Sequence, residues 1–200
     1  MPTINQMSLV ASLEALHSVR TDEVVVTAMG TAREWMALGS HPLDFVLVPS
    51  SMGQAPALGL GIALAQPDRK VIVCNGDGSM LMNLGSLVTI TSEAPANLTL
   101  LIFDNGVYEV TGSQSTPGAR EARKDCRDID FLAVATACGF SSIYGFDEID
   151  HWQAEVRNVI DAAGPTFARL KVAPLEASGP KSPGPGKQRA IEFAAALKNG

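Results

Sequence analysis

Residues 70–90 read KVIVCNGDGSMLMNLGSLVTI, and the order of residue types in this stretch decides the fold. Val71, Ile72, Val73 and Cys74 form an unbroken apolar run, the composition of a strand covered on both faces. Gly76-Asp77-Gly78-Ser79 interrupts the run with turn chemistry. From Met80 to Ser92 the apolar residues recur at helical spacing. A buried strand, a glycine turn and a helix make the first half of a βαβ unit.

The same alternation continues on both sides. Upstream, Met7 to Val19 carries Leu9, Leu13, Leu16 and Val19 at helical spacing. Glu23 to Met29 (EVVVTAM) is a buried strand, Thr31 to Leu38 a short helix and Phe45 to Val48 a strand. Gly53 to Ala65 (GQAPALGLGIALA) is a small-residue helix whose glycines predict close approach of a helix or a backbone. Downstream, Leu98 to Asp104 is a strand, and Gly106 to Asp128 is polar. Helices follow near Ile129 to Cys138 and Ile149 to Ala163, with strands at Ser142 to Phe146 and Phe167 to Val172. Strands that are apolar throughout and separated by helices predict an α/β fold, an open, mainly parallel sheet covered by helices on both faces.

Residues 1–173 are expected to form this domain. Residues 174–200 form an arm, PLEASGPKSPGPGK with four prolines and three glycines, and then a helix over Gln188 to Lys198. Ile191, Phe193, Ala194 and Leu197 give that helix an apolar stripe, so it should dock on this domain or on a partner.

Of 200 residues 46% are hydrophobic and 18% charged, a globular balance. The net charge of −6 argues against a nucleic-acid surface, which needs a positive field. Cys74, Cys126 and Cys138 are odd in number and form no CxxC pair, so neither a disulfide framework nor a metal-thiolate site is indicated. No apolar run approaches the roughly 18 residues that span a bilayer, and the N-terminus lacks the pattern of a secretory signal. The expected location is the cytoplasm, with no membrane partner.

Open parallel sheets bind ligands beyond the carboxyl ends of their strands. At one such end, Gly76-Asp77-Gly78-Ser79 lets the backbone approach a ligand, and the following helix offers unpaired N–H groups to an anion. Asp77 would repel a phosphate there unless a divalent cation lay between them. At the next strand end stands Asp104-Asn105-Gly106, where Asn105 can give a hard, neutral oxygen to the same ion. One carboxylate, one amide and a backbone carbonyl leave about three places of a Mg2+ octahedron for diphosphate oxygens and water. A calcium loop from Asn75 fails, since Met80 stands where its glycine should and Ser86 where its glutamate should. His17, His41 and His151 lack a paired acid or nucleophile nearby. Arg120, Arg123, Lys124 and Arg127 interleave with Glu121, Asp125 and Asp128, as on a solvated helix start.

Gly76-Asp77-Gly78, then some two to three dozen residues, then Asn resembles the signature of thiamine diphosphate enzymes. Asp104 departs from it, standing where many members have a first Asn, at a position that is not the usual ligand. The resemblance extends to Ser50-Ser51-Met52-Gly53 and covers about residues 20 to 175. It implies that Asp77, Asn105 and the carbonyl of Val107 hold Mg2+, while Gly76, Gly78 and Ser79 meet the diphosphate. It makes Met52 the apolar wedge between the two cofactor rings, with the backbones of Ser50 and Met52 at the pyrimidine edge. Gly30 and Thr31 are similar, less specifically, to another diphosphate-contacting turn.

The family's activating glutamate belongs to a pyrimidine-binding domain. It is expected from a separate subunit, in a hetero-oligomer of α2β2 or larger stoichiometry. Among split members, SSMGQAPALGLGIALAQPDRKVIVCNGDGSMLMNLGSLVTI and DNGVYEVTGSQST are similar to the β subunits of decarboxylases of sulfopyruvate and to the matching half of those of phosphonopyruvate. That implies a small 2-oxoacid substrate lying near Val107, Thr111 and Gln114. The β half of a ferredoxin-linked 2-oxoacid oxidoreductase and a non-catalytic, cofactor-holding regulatory subunit stay open as alternatives.

Overall fold

A computed structural model describes residues 7–47, 51–119, 128–175 and 184–198. The elements run α1 (Leu9–Val19), β1 (Val24–Ala28), α2 (Met29–Leu38), β2 (Asp44–Leu47), α3 (Ala55–Ala65), β3 (Val71–Gly76), α4 (Asp77–Leu81) and α5 (Gly85–Glu93). They continue with β4 (Leu98–Asp104), β5 (Val107–Tyr108), a 3-10 turn (Glu109–Thr111), β6 (Gln114–Ser115), α6 (Phe131–Cys138), β7 (Ser142–Phe146), α7 (Ile149–Asp161), β8 (Thr166–Lys171) and α8 (Gly186–Lys198). Six strands form one sheet in the order β2-β1-β3-β4-β8-β7, and every pairing in it is parallel. The expected open sheet is therefore present.

Strand side chains alternate between two cores. Val25, Ile72, Leu101 and Ala168 face the layer of α1, α2 and α7, where Leu13, Trp35 and Trp152 are buried. Val26, Val73, Leu100 and Phe167 face the layer of α3, α5 and α6, packing with Leu60, Leu87 and Phe131. Trp152 finds a partner for its indole, Nε1–H donating to the carbonyl of Ser12 at 2.9 Å, which ties α7 to α1.

The glycines of α3 divide between its faces. A Cβ on Gly59 would run into Cγ2 of Val73 on the sheet, whereas one on Gly61 would meet nothing within 4 Å. The close approach expected of this helix is thus to β3, and Gly59 supplies it.

Two expectations need correction. The single helix expected from Met80 to Ser92 is two. α4 starts at Asp77 and ends with i→i+3 bonds, Met82 N–H to Ser79 O at 3.3 Å and Asn83 N–H to Met80 O at 3.0 Å, before α5 begins at Gly85. On α8 the buried face is centred on Phe193, with Ala196 and Leu197 half-buried, while Ile191 and Ala194 are exposed. The helix packs on β2 of its own chain, the ring of Phe193 lying 4.9 Å from that of Phe45 and Arg189 Nη1 donating to Val46 O at 2.5 Å. Among the described residues, no helix is long and apolar enough to cross a membrane.

Candidate cofactor site

After β1 the chain steps outward to β2, then crosses back to place β3 on the other side of β1. α2 leaves this gap toward one face and α4 toward the other, so two helix starts open over the carboxyl ends of β1 and β3. A cleft of about 190 Å3 lies there, reached by Met29, Gly30, Gly76, Asp77, Asn105 and Val107. Topology alone places a ligand site at such a switch point. Two roomier hollows, under α8 and over the ends of β7 and β8, lie away from the carboxyl ends of β1 and β3.

Asp77 is only 2% exposed. Its Oδ2 accepts from Gly106 N–H at 3.2 Å and from the Thr116 hydroxyl at 3.4 Å. Burial first, then the neighbouring Asp104, raises its pKa from 3.8 to about 6. A carboxylate that burial and a like charge both disfavour is one that a bound cation would relieve. Asn105 Oδ1 accepts from Val107 N–H at 3.0 Å, which shapes the turn and leaves the oxygen a second lone pair. Among the described residues no three His, Cys, Asp or Glu side chains cluster as metal ligands. The donors expected here are a carboxylate, an amide and a carbonyl, a set that would suit a hard cation rather than zinc or copper.

The positions expected to meet the diphosphate differ in kind. A Cβ at Gly76 would meet nothing within 4 Å, so that glycine leaves open space above the turn. Gly78 is required by the fold itself, because a Cβ there would stand 2.6 Å from Cε1 of Tyr108. The Ser79 oxygen accepts from Gly53 N–H at 2.9 Å, which leaves its proton for a ligand. Gly30 and Thr31 line the cleft. The Thr31 hydroxyl lies 2.6 Å from Ala28 O and 3.0 Å from Cys74 O, bridging β1 and β3, so what it offers an anion is backbone.

Met52 is half-buried and lines the cleft, and Ser50 lies outside the described residues. Thr111 stands exposed at the rim, its hydroxyl donating to Gln114 Oε1 at 2.8 Å while Gln114 Nε2 returns a bond to Thr111 O at 2.8 Å. Gln114 itself does not line the cleft. Arg120, Arg123, Lys124 and Arg127 lie outside the described residues, as does Cys126. Cys74 is fully buried and burial pushes its thiol far up, which fits a packing role.

Sequence reasoning missed four contributors. Met29 takes φ +61°, a strained value for a side chain of this size and a common sign of a functional turn. Tyr108 lies on β5 and Thr116 directly after β6, hidden in a polar stretch without alternation. Glu109 Oε1 accepts from Leu175 N–H at 2.7 Å, and its other oxygen lies so close to Gly30 that a Cβ there would be 2.8 Å away. Gly106 beside Asn105 was the one available signal for a turn at this place.

A family model, the C-terminal TPP-binding domain of thiamine pyrophosphate enzymes, matches residues 28–169. The chain belongs to this family. Its thiamine diphosphate-binding character, reached above from Asp77 and Asn105, is that of the family as a whole. Sulfopyruvate decarboxylase subunit beta of Methanothermobacter thermautotrophicus is 38% identical over 172 residues, 86% of this chain and 85% of that one. Phosphonopyruvate decarboxylase of Streptomyces viridochromogenes is 37% identical over 172 residues, 85% of this chain but only 41% of that one. A Mycobacterium smegmatis structure described as a thiamin diphosphate-dependent enzyme superposes with a TM-score of 0.70 at 23% identity, covering 86% of this chain and 32% of that one. This last likeness concerns the fold.

Proposed function

We propose that this chain is the diphosphate- and Mg2+-binding subunit of a thiamine diphosphate-dependent decarboxylase of sulfopyruvate or phosphonopyruvate, working with a separate pyrimidine-domain subunit. The observation that carries the reading is the buried Asp77 carboxylate, set between two helix starts at the switch point and within reach of the Asn105 turn. Asp77, the Asn105 side chain and the Val107 carbonyl hold the cation. Backbone at Gly30, Gly76 and Gly78, with the Ser79 hydroxyl, meets the diphosphate, and Met52 and the Ser50 backbone hold the ring end. Thiamine diphosphate, when bound, supplies a nucleophilic carbon and an electron sink for the electrons released with CO2. This chain's residues fix it, ligate the cation and leave the rim at Thr111 and Gln114 to the substrate.

The partner reading is supported by the relative that this chain spans almost fully, itself a subunit beta. It is also supported by Glu109, the one glutamate lining the cleft among the described residues. Glu109 is bonded to Leu175 and lies against Gly30, where it is engaged on the diphosphate side. Identity of 37–38% to decarboxylases is the reason the ferredoxin-linked reading is set aside. Intact Asp77 and Asn105 speak against a non-catalytic role. The test is CO2 release from sulfopyruvate and from phosphonopyruvate, with and without a pyrimidine-domain protein. Activity is expected only from the mixture. Full activity from this chain alone, its purity established by mass spectrometry, would overturn the two-subunit reading.

A further inference from the structure

The break between α4 and α5 has a use. At this turn Asn83 reaches back thirty positions and donates from Nδ2 to the carbonyl of Gly53 at 3.0 Å. One turn earlier, Ser79 Oγ accepts from the N–H of the same glycine at 2.9 Å. Both backbone polar groups of Gly53 are therefore held by side chains of the segment that carries the diphosphate turn. Gly53 takes φ +78°, and a Cβ on it would come within 2.9 Å of the Asn83 Cβ. The residue is thus tailored to this close approach as well as bonded to it. An asparagine that merely served its own turn would bond locally. Instead its amide goes to the residue next to Met52, while its backbone carbonyl accepts from Ser86 N–H at 3.1 Å at the start of α5. Asn83 does not line the cleft, so any effect it has on a ligand passes through Gly53.

We propose that Asn83 is a positioning residue that sets where Met52 stands relative to the Gly76–Ser79 turn, and so fixes the ring-holding part of the site against the diphosphate-holding part. This rests on the thiamine diphosphate reading above. Ser79 has two tasks on that account, steadying Gly53 with its oxygen and offering its proton to the anion. Asn83 has the first task only, which makes it the cleaner probe.

The experiment is calorimetry on the full chain with Mg2+ and two probes, thiamine diphosphate and inorganic diphosphate. It uses the wild type, Asn83→Ala and Asn83→Asp, the second nearly isosteric but without the donor. Losing one such hydrogen bond is worth about a fivefold change. Thiamine diphosphate should bind about five- to tenfold more weakly to both variants, while inorganic diphosphate stays within about twofold of wild type. Equal losses for both probes would show a general structural role and overturn the inference, as would no loss for either. A wild-type chain that bound neither probe would remove the cofactor reading and this inference with it.

Discussion

Replacing Asp77 by Asn separates what this carboxylate does for a ligand from what it does to the fold. In the folded chain its pKa stands at about 6 against an ordinary 3.8. Between those values the folded state holds a proton that the unfolded state has released, so stability falls as pH rises. The contribution is fully present below pH 3.8 and lost once pH has passed about 6. At 1.36 kcal/mol per pKa unit the loss comes to about 3 kcal/mol. Asn carries no charge, so the stability difference between variant and wild type, measured by urea unfolding with chelator present, should move in the variant's favour by about 2.5 kcal/mol from pH 4 to pH 7. The variant should start lower by about 1 kcal/mol, because the Asp77 carboxylate accepts from the backbone N–H of both Gly106 and Gly78 and an amide nitrogen must face one of them. Mg2+ should restore wild-type stability at pH 7 and leave the variant unchanged. Mg2+-dependent thiamine diphosphate binding by wild type should weaken about tenfold per pH unit below 6, where the proton competes with the cation. A stability difference that stayed flat with pH, or diphosphate binding retained by Asp77→Asn, would refute the assignment of this buried charge to a cation site.

Met52→Ala should leave inorganic diphosphate affinity intact and lower turnover of the assembled enzyme about 100-fold, since small misplacements of reacting groups cost that much; unchanged turnover would assign Met52 to packing. Lys171→Met removes the ammonium 3.0 Å from Asp104 Oδ2 and should cost about 2 kcal/mol in thermal unfolding. Adding Asp104→Asn should recover most of that loss, and additive losses in the double variant would break the argument. Gly59→Ala should destabilise by about 1–3 kcal/mol through its collision with Val73. Gly61→Ala on the same helix should stabilise by about 0.5–1 kcal/mol, so denaturation curves shifting the same way for both would contradict the packing of α3.

The sheet was legible because its strands are apolar on both faces, and Val71 to Cys74 read as a strand without reference to anything distant. Asp77 and Asn105 were legible because each follows a strand directly, at a place where topology puts ligands. What escaped notice depends on non-local partners. The division of Met80–Ser92 into two helices goes with a bond from Asn83 to Gly53, which no local propensity records. Met29 gives no hint of its positive φ, since methionine has no preference for that region. The β5–β6 hairpin is two residues per strand, too short for alternation to show, yet it brings Tyr108 and Thr116 against Gly78 and Asp77. The face of α8 that docks was misjudged because helical spacing allows several stripes, and the choice among them was made by Phe45 on β2.

α2 belongs to one hydrophobic core and α4–α5 to the other, with the sheet between them, and only at the gap beside β1 do the starts of these helices share a space. A molecule gripped there works as a rivet through the laminate, joining two layers that otherwise communicate across the sheet. Emptying the site should therefore loosen α2 and α4 together, on opposite faces of the protein. Hydrogen exchange at their first turns should rise and fall in step with cofactor concentration.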